Sequence, residues 1–175
     1  MANVTPQETE TEGDERPDRV NLGCGDDYRD GWLNVDVDDR HDVDVVHDLE
    51  ETPWRWGDSQ FGHVLMDNVL EHIAVEHRTA VLEECHRILE PGGTLTLRLP
   101  VPEVGAGWDE THHAVPHWRV LCHPRWRDRW AVDRIAGSKV GPGRLFPEPL
   151  ARLATRFWVF RGMDEVTVTA RALPE

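Results

Sequence analysis

Val20-Asn21-Leu22 runs directly into Gly23-Cys24-Gly25, and after six residues Trp32-Leu33-Asn34-Val35-Asp36-Val37 follows. The first run reads as a strand closed by a glycine turn. The second alternates and carries an acid near its end. A strand, a tight glycine turn and a second strand ending in a carboxylate constrain a chain strongly. This is the opening of an α/β open sheet, where ligands meet the carboxyl ends of the strands at the point where strand order reverses. The connection Asp26–Gly31 is too short for a full crossover helix, so little helix-dipole help is expected at the turn.

The rest of the chain continues the pattern. Val43 to Leu49 reads as a third strand, and Phe61 to Val69, preceded by Gly57-Asp58-Ser59, as a fourth. From Val75 to Glu90 the period changes. Val81, Leu82, Cys85, Ile88 and Leu89 fall on one face of an amphipathic helix. Pro91-Gly92-Gly93 is expected to stop that helix before a fifth strand, Thr94 to Leu99. Residues 101–146 are rich in Pro, Gly, His, Trp and Arg and read as an insert on the substrate side. A short helix is expected over Pro149–Thr155. Strands near Arg156–Phe160 and Val166–Ala172 would close a terminal antiparallel hairpin. The expected fold is a Rossmann-like open sheet of about seven strands, mostly parallel. It would occupy residues 18–175, behind a disordered acidic tail at 1–17.

Composition narrows the classes. The chain has 175 residues and a net charge of −14. Of its 19 basic residues only Lys139 is lysine, a balance that suits a halophile's cytoplasm. The acidity is uneven: residues 111–161 hold ten basic and three acidic side chains. No apolar run approaches the ~18–20 residues of a membrane span. The first fifteen residues, polar and acidic, fit no secretory leader. A soluble cytoplasmic protein is therefore expected. Cys24, Cys85 and Cys122 form no CxxC pair, and three is odd, which argues against a disulfide framework.

Asn-Leu-Gly-Cys-Gly at 21–25, Trp-Leu-Asn-Val-Asp at 32–36, Asp-Asn-Val-Leu-Glu-His-Ile at 67–73 and His-Arg-Ile-Leu-Glu-Pro-Gly-Gly at 86–93 occur in this order. The set resembles the class I S-adenosylmethionine-dependent methyltransferases, of the type-11-like group of small-molecule enzymes. The likeness covers roughly residues 19–100, and 156–172 by pattern. It implies S-adenosyl-L-methionine as cofactor. Asn21, Gly23, Cys24 and Gly25 would lie along its methionine part. Asp36 would hold the ribose hydroxyls, a diol that can donate twice to one carboxylate. Asp48 would meet the adenine amino group, with Leu49 and Asn68 flanking the ring. Asp26 or Asp27 would favour the cationic sulfonium.

The acceptor side is less marked. Asp109-Glu110-Thr111-His112 resembles the Asp-Pro-Thr-His element of part of the family, with Glu110 in place of proline. That makes His112 the expected base or substrate-orienting group. Arg125-Trp126-Arg127-Asp128-Arg129-Trp130 interleaves guanidinium with indole. Arg125, Trp126 and Arg127 could dock an anionic acceptor; equally, Trp126 and Trp130, four apart, could be core residues of an amphipathic helix. His113, His117, Cys122 and His123 fit no standard zinc spacing, and no metal is expected. The chain lacks the Asn- or Asp-Pro-Pro-aromatic element of DNA amino-methyltransferases and any Pro-Cys dipeptide, so no DNA base is expected as target. The expected acceptor is a small molecule with an oxygen or nitrogen nucleophile, and a homo-oligomer is possible. Two rivals share parts of the pattern: a nicotinamide-dependent oxidoreductase, and a non-catalytic binding or assembly protein on a degenerate methyltransferase fold.

Overall fold

The structure is a computed structural model, and it describes residues 17–100, 113–117, 119–138 and 165–174. Seven strands form one sheet: β1 (Arg19–Leu22), β2 (Leu33–Asp36), β3 (Val45–Val46), β4 (Phe61–Asp67), β5 (Leu89–Pro100), β6 (Trp130–Ser138) and β7 (Glu165–Ala172). Their spatial order is β3-β2-β1-β4-β5-β7-β6. The first five strands are parallel. β7 is antiparallel to both β5 and β6. The expected Rossmann-like sheet, mostly parallel with an antiparallel C-terminal part, is the one observed.

Several boundaries differ from expectation. The helix α1 spans Arg78–Ile88, and β5 begins at Leu89, ahead of Pro91-Gly92-Gly93. Leu89 pairs with Phe61, and the register then shifts before His63 pairs with Thr94, so the Pro-Gly-Gly segment is an irregularity inside the strand. The third strand is only Val45–Val46. The outer neighbour of β7 is β6, Trp130–Ser138, which sequence reading placed inside the insert. Residues 156–160, expected to pair there, lie outside the described residues, as do 149–155, 101–112 and 1–16.

One face of the sheet makes the core. Val20, Leu22, Val35, Val64, Met66, Leu95, Leu97, Leu99, Val168 and Ala170 pack with Val81, Leu82, Cys85 and Ile88 of α1. Each large side chain fully buried in this way contributes about 1.5–3 kcal/mol. The register places Asn21, Asn34, His63, Thr94, Thr96 and Arg98 on the opposite face. Sheets covered by helices on both faces read as near-continuous apolar runs. These strands alternate instead, and α1 is the one α-helix among the described residues.

Tryptophans do the work of a crossover helix between β3 and β4. Trp54 and Trp56 are buried and meet edge to face, with ring centroids 5.7 Å apart; Trp56 meets Phe61 at 6.3 Å. Their loop is tied to α1 by a charge pair. The Glu84 carboxylate accepts from Trp54 N–H at 2.6 Å and from Arg87 Nε at 2.8 Å. Arg87 also donates to the Trp56 carbonyl and to Asp58 Oδ1, each at 2.8 Å. Hydrogen bonds from Arg87 hold the Glu84 carboxyl below the usual carboxylate range, against the opposing effect of its burial. A carboxyl depressed on folding contributes stability above its unfolded pKa and loses it as pH falls through the lowered value. Glu84→Gln is therefore expected to cost about 2 kcal/mol at pH 7. The deficit should shrink as the urea midpoint is measured toward pH 3.

Candidate functional site

Parallel register brings the carboxyl ends of β1, β2, β3 and β4 to one edge of the sheet. Strand order reverses between β1 and β4, because the chain grows from β1 through β2 to β3 and then returns to β1's other side. That is where a crevice opens in such sheets. Four segments meet there: the turn at 23–25, Asp36, the loop at 47–50 and Asp67-Asn68.

The glycine turn is fixed from β2. The amides of Gly23 and Cys24 both donate to the Val35 carbonyl, at 2.8 and 3.0 Å. Gly23 has φ +68°, and a Cβ there would lie 2.6 Å from a Val69 methyl. Gly25 has φ +48° and would meet nothing within 4 Å, so its backbone faces open space. The turn therefore offers a ligand a bare backbone cradle. Asp36 stands beside it. Its Oδ2 accepts from Gly25 N–H at 2.8 Å, and its Oδ1 from Asp38 N–H at 3.0 Å. Each oxygen keeps a lone pair for a further donor.

The other expected cofactor residues fall into two groups. Asp48 and Asn68 are exposed at the edge. The Asp48 Oδ1 accepts from Glu50 N–H at 2.9 Å. Asn68 has φ +52°, and its amide donates to the Arg98 carbonyl at 3.1 Å. Asn21, Cys24 and Leu49 are buried. The Asn21 side chain donates to the Asp27 carbonyl at 2.8 Å, holding the far end of the turn from beneath. Leu49 is part of the core, and its carbonyl accepts from Trp54 Nε1 at 3.0 Å. Burial, with Asp36 nearby, pushes the Cys24 thiol up to about 11. It stays protonated at neutral pH and is a poor nucleophile. Cys85 is buried too, while Cys122 is exposed. Iodoacetamide at pH 7 is expected to label one thiol per native chain and three after denaturation, counted by mass spectrometry.

Some of the charges around the edge have charged partners. Asp27 pairs with Arg29, and Asp26 lies 2.9 Å from His41 Nδ1. Asp67, at the end of β4, pairs with Arg98 and has Arg29 at 3.9 Å. This Asp67–Arg98 pair was missed by sequence reasoning. Its signal was a lone arginine in a Thr/Leu alternation, directly across the register from an acid.

On the side where the acceptor was expected, Glu71 is fully buried, and its carbonyl accepts from His113 N–H at 3.1 Å. Arg78 donates to the carbonyls of Ile73, Glu71 and Ala114 and so draws the 113–117 segment onto the loop after β4. Burial lowers the Arg78 pKa. His112 lies outside the described residues. Arg125 is exposed and reaches Thr79 Oγ1, in the first turn of α1, at 3.1 Å. Arg127 is exposed and pairs with Asp128 at 3.3 Å. Trp126 and Trp130 sit in the core, on short turns and a strand start rather than on an amphipathic helix. Their indoles hold this segment against the sheet and α1. The rings of His117 and His123 accept from backbone amides two residues on. Among the described residues no three His, Cys, Asp or Glu side chains are placed to hold a metal, and no helix is long and apolar enough to cross a membrane.

A family model described as a methyltransferase domain matches residues 21–97. Solved structures agree in fold. A SAM-dependent methyltransferase from Archaeoglobus fulgidus is 15% identical, with 87% of this chain and 85% of that one covered and a TM-score of 0.62. A chain of the complex between the Haloferax volcanii Trm112 methyltransferase activator and its methyltransferase is 19% identical, covering 90% and 82%, at 0.59. The N-methyltransferase NodS from Bradyrhizobium japonicum, solved with S-adenosyl-L-homocysteine, is 12% identical, covering 90% and 78%, at 0.61. No curated protein sequence matches the chain. The matched segment contains the glycine turn, Asp36, Asp48 and the loop after β4, and the sheet that carries them has the strand order just described: residues 21–97 match a methyltransferase domain, and the chain shares its fold with solved S-adenosylmethionine-dependent methyltransferases.

Proposed function

We propose that the carboxyl-edge crevice holds S-adenosylmethionine and that the protein methylates an oxygen or nitrogen nucleophile of a small molecule. One observation carries the reading of the crevice. The Asp36 carboxylate is tied to the Gly25 amide at the switch point, beside a turn whose Gly25 has open space above it. Gly23 and Gly25 let the chain approach the methionine part. Asp36 accepts from the ribose diol. Asp48, held by Glu50 N–H, faces the adenine amino group, with Asn68 on the other side of the ring. Asn21, Cys24 and Leu49 support this wall from below.

Bound there, the cofactor supplies an electrophilic methyl on a sulfonium. The chain has to bring an acceptor lone pair into line with it, and alignment supplies much of the acceleration. A hydroxyl acceptor also needs a base, the role proposed for His112; an amine acceptor can lose its proton afterwards. Asp27 is neutralised by Arg29, whereas Asp26, with the His41 ring beside it, is fully exposed and is the more available acid on the turn side. On the acceptor side, Arg125 stands nearest the start of α1 and is the proposed anchor for an anionic group, with Arg127 further along the same segment.

Calorimetric titration with S-adenosylhomocysteine at high salt tests the crevice. Absence of binding by a folded sample would overturn it. Incubation with methyl-labelled cofactor and a cell extract, followed by identification of the labelled product, then tests the acceptor class. Labelled protein or nucleic acid as the sole product would overturn the small-molecule reading. Binding with no labelled product would favour a binding or assembly role on this fold.

A further inference from the structure

We infer that Glu50 is a positioning residue that locks the two walls of the crevice together, an inference that rests on the reading of the crevice given above. Glu50 follows Asp48-Leu49, yet its side chain turns away from them. Oε1 accepts from Ala74 N–H at 2.7 Å, and Oε2 lies 2.7 Å from His77 Nδ1. Its own amide holds Asp48 Oδ1. One residue thus connects the segment after β3 with the segment between β4 and α1, 24 positions away at Ala74.

The position suits a carboxylate. His77 is the N-cap of α1, makes no capping hydrogen bond with its side chain, and the first turn of α1 holds no acid. Helix N-termini favour negative charge, and here Glu50 brings it from a distant segment. The Ala74 amide is the main cause holding the Glu50 carboxyl below its usual range, with His77 and His113 adding to it. Its side chain is 27% exposed.

The loop has other supports. Trp54 Nε1 holds the Leu49 carbonyl, and Glu84 holds the Trp54 amide. Removing the Glu50 carboxylate therefore frees the spacing between the walls without unfolding the loop. That spacing sets where Asp48 and Asn68 stand on either side of a ring.

The test uses the full chain. Glu50→Ala, Glu50→Gln, His77→Ala and a neighbouring control, Glu51→Ala, are titrated with S-adenosylhomocysteine, with melting and amide exchange followed in parallel. Glu50→Ala is expected to weaken binding about tenfold, the scale of one charge-assisted hydrogen bond. The Ala74 amide should exchange faster while the melting midpoint stays close to wild type. Glu50→Gln, which keeps an acceptor for Ala74, should recover most of the affinity. His77→Ala should lose about threefold, the scale of a weaker exposed contact, and the control nothing. Wild-type affinity in Glu50→Ala overturns this inference alone. A Glu50→Gln chain as weak as Glu50→Ala, with both melting early, also overturns it, because the role is then general stability. Failure of the wild-type chain to bind overturns the crevice reading and takes this one with it.

Discussion

Asp36→Ala is expected to weaken S-adenosylhomocysteine binding by at least about a hundredfold and to leave the chain folded. Two hydrogen bonds from a diol to one carboxylate are worth about 1.5–3 kcal/mol each when the acceptor is charged. Losing both corresponds to about 10²–10⁴ in affinity. The substitution also releases Gly25, whose amide is held by Oδ2 at 2.8 Å, so the turn loses its tether as the ribose loses its partner. The structural cost is smaller. Gly25 and Asp38 lie at a partly exposed edge, where their freed amides can reach water. Calorimetry and thermal melting on the same sample separate the two effects. Binding within about fivefold of wild type, where ~1 kcal/mol or less is lost, would show that Asp36 shapes the turn without holding the ribose.

The parts legible in the sequence were those whose physics is local. Gly23 and Gly25 announce their backbone angles through residue type, and β2 announces its end with Asp36. The alternation of β5 showed which face is buried, since Leu95, Leu97 and Leu99 are core and Thr94 and Thr96 are not. β6 was read as insert for a definite reason. Its register shifts between Val132 and Arg134, and the extra residue Asp133 breaks the period-two pattern in the middle of the strand. Its opening Trp130, four residues from Trp126, left two readings open, ligand stacking or the core of an amphipathic helix; both residues are core, but on different elements and not on a helix of that kind. Other features depend on partners far away in sequence. Glu84 reads as a surface charge of α1 until Trp54, 30 residues earlier, brings its amide to it. Glu50 is one acid in a run of Asp and Glu until Ala74 and His77 close on it. Arg98 and Asp67 meet only once β4 and β5 are in register. In a chain this rich in acid, residue type alone could not separate those engaged in structure from those left to solvent.

Gly23→Ala is expected to be the most damaging single methyl in the site. Two independent costs act at once. At φ +68° an L side chain is strained by about 1–3 kcal/mol. The new Cβ would also stand 2.6 and 2.8 Å from the two Val69 methyls, well inside van der Waals contact. Overpacking of this kind costs about 1–3 kcal/mol more. Val69 is 7% exposed and belongs to the core, so it cannot swing into solvent. A loss of ~3 kcal/mol in a domain of this size lowers the melting midpoint by about 6–12 °C. Cofactor affinity should fall with it, because Gly23 and Cys24 share the Val35 carbonyl and any shift at one moves the other. A second substitution separates the costs. Val69→Ala removes both clashing methyls and leaves the backbone angle as it is. In the Gly23→Ala/Val69→Ala chain the clash should vanish and the strain persist. The melting loss attributable to Gly23→Ala should then be smaller than in the wild-type background, by about 1–2 kcal/mol of coupling. Additivity of the two substitutions would mean that the turn had moved away from Val69 and that the glycine is required for its angle alone.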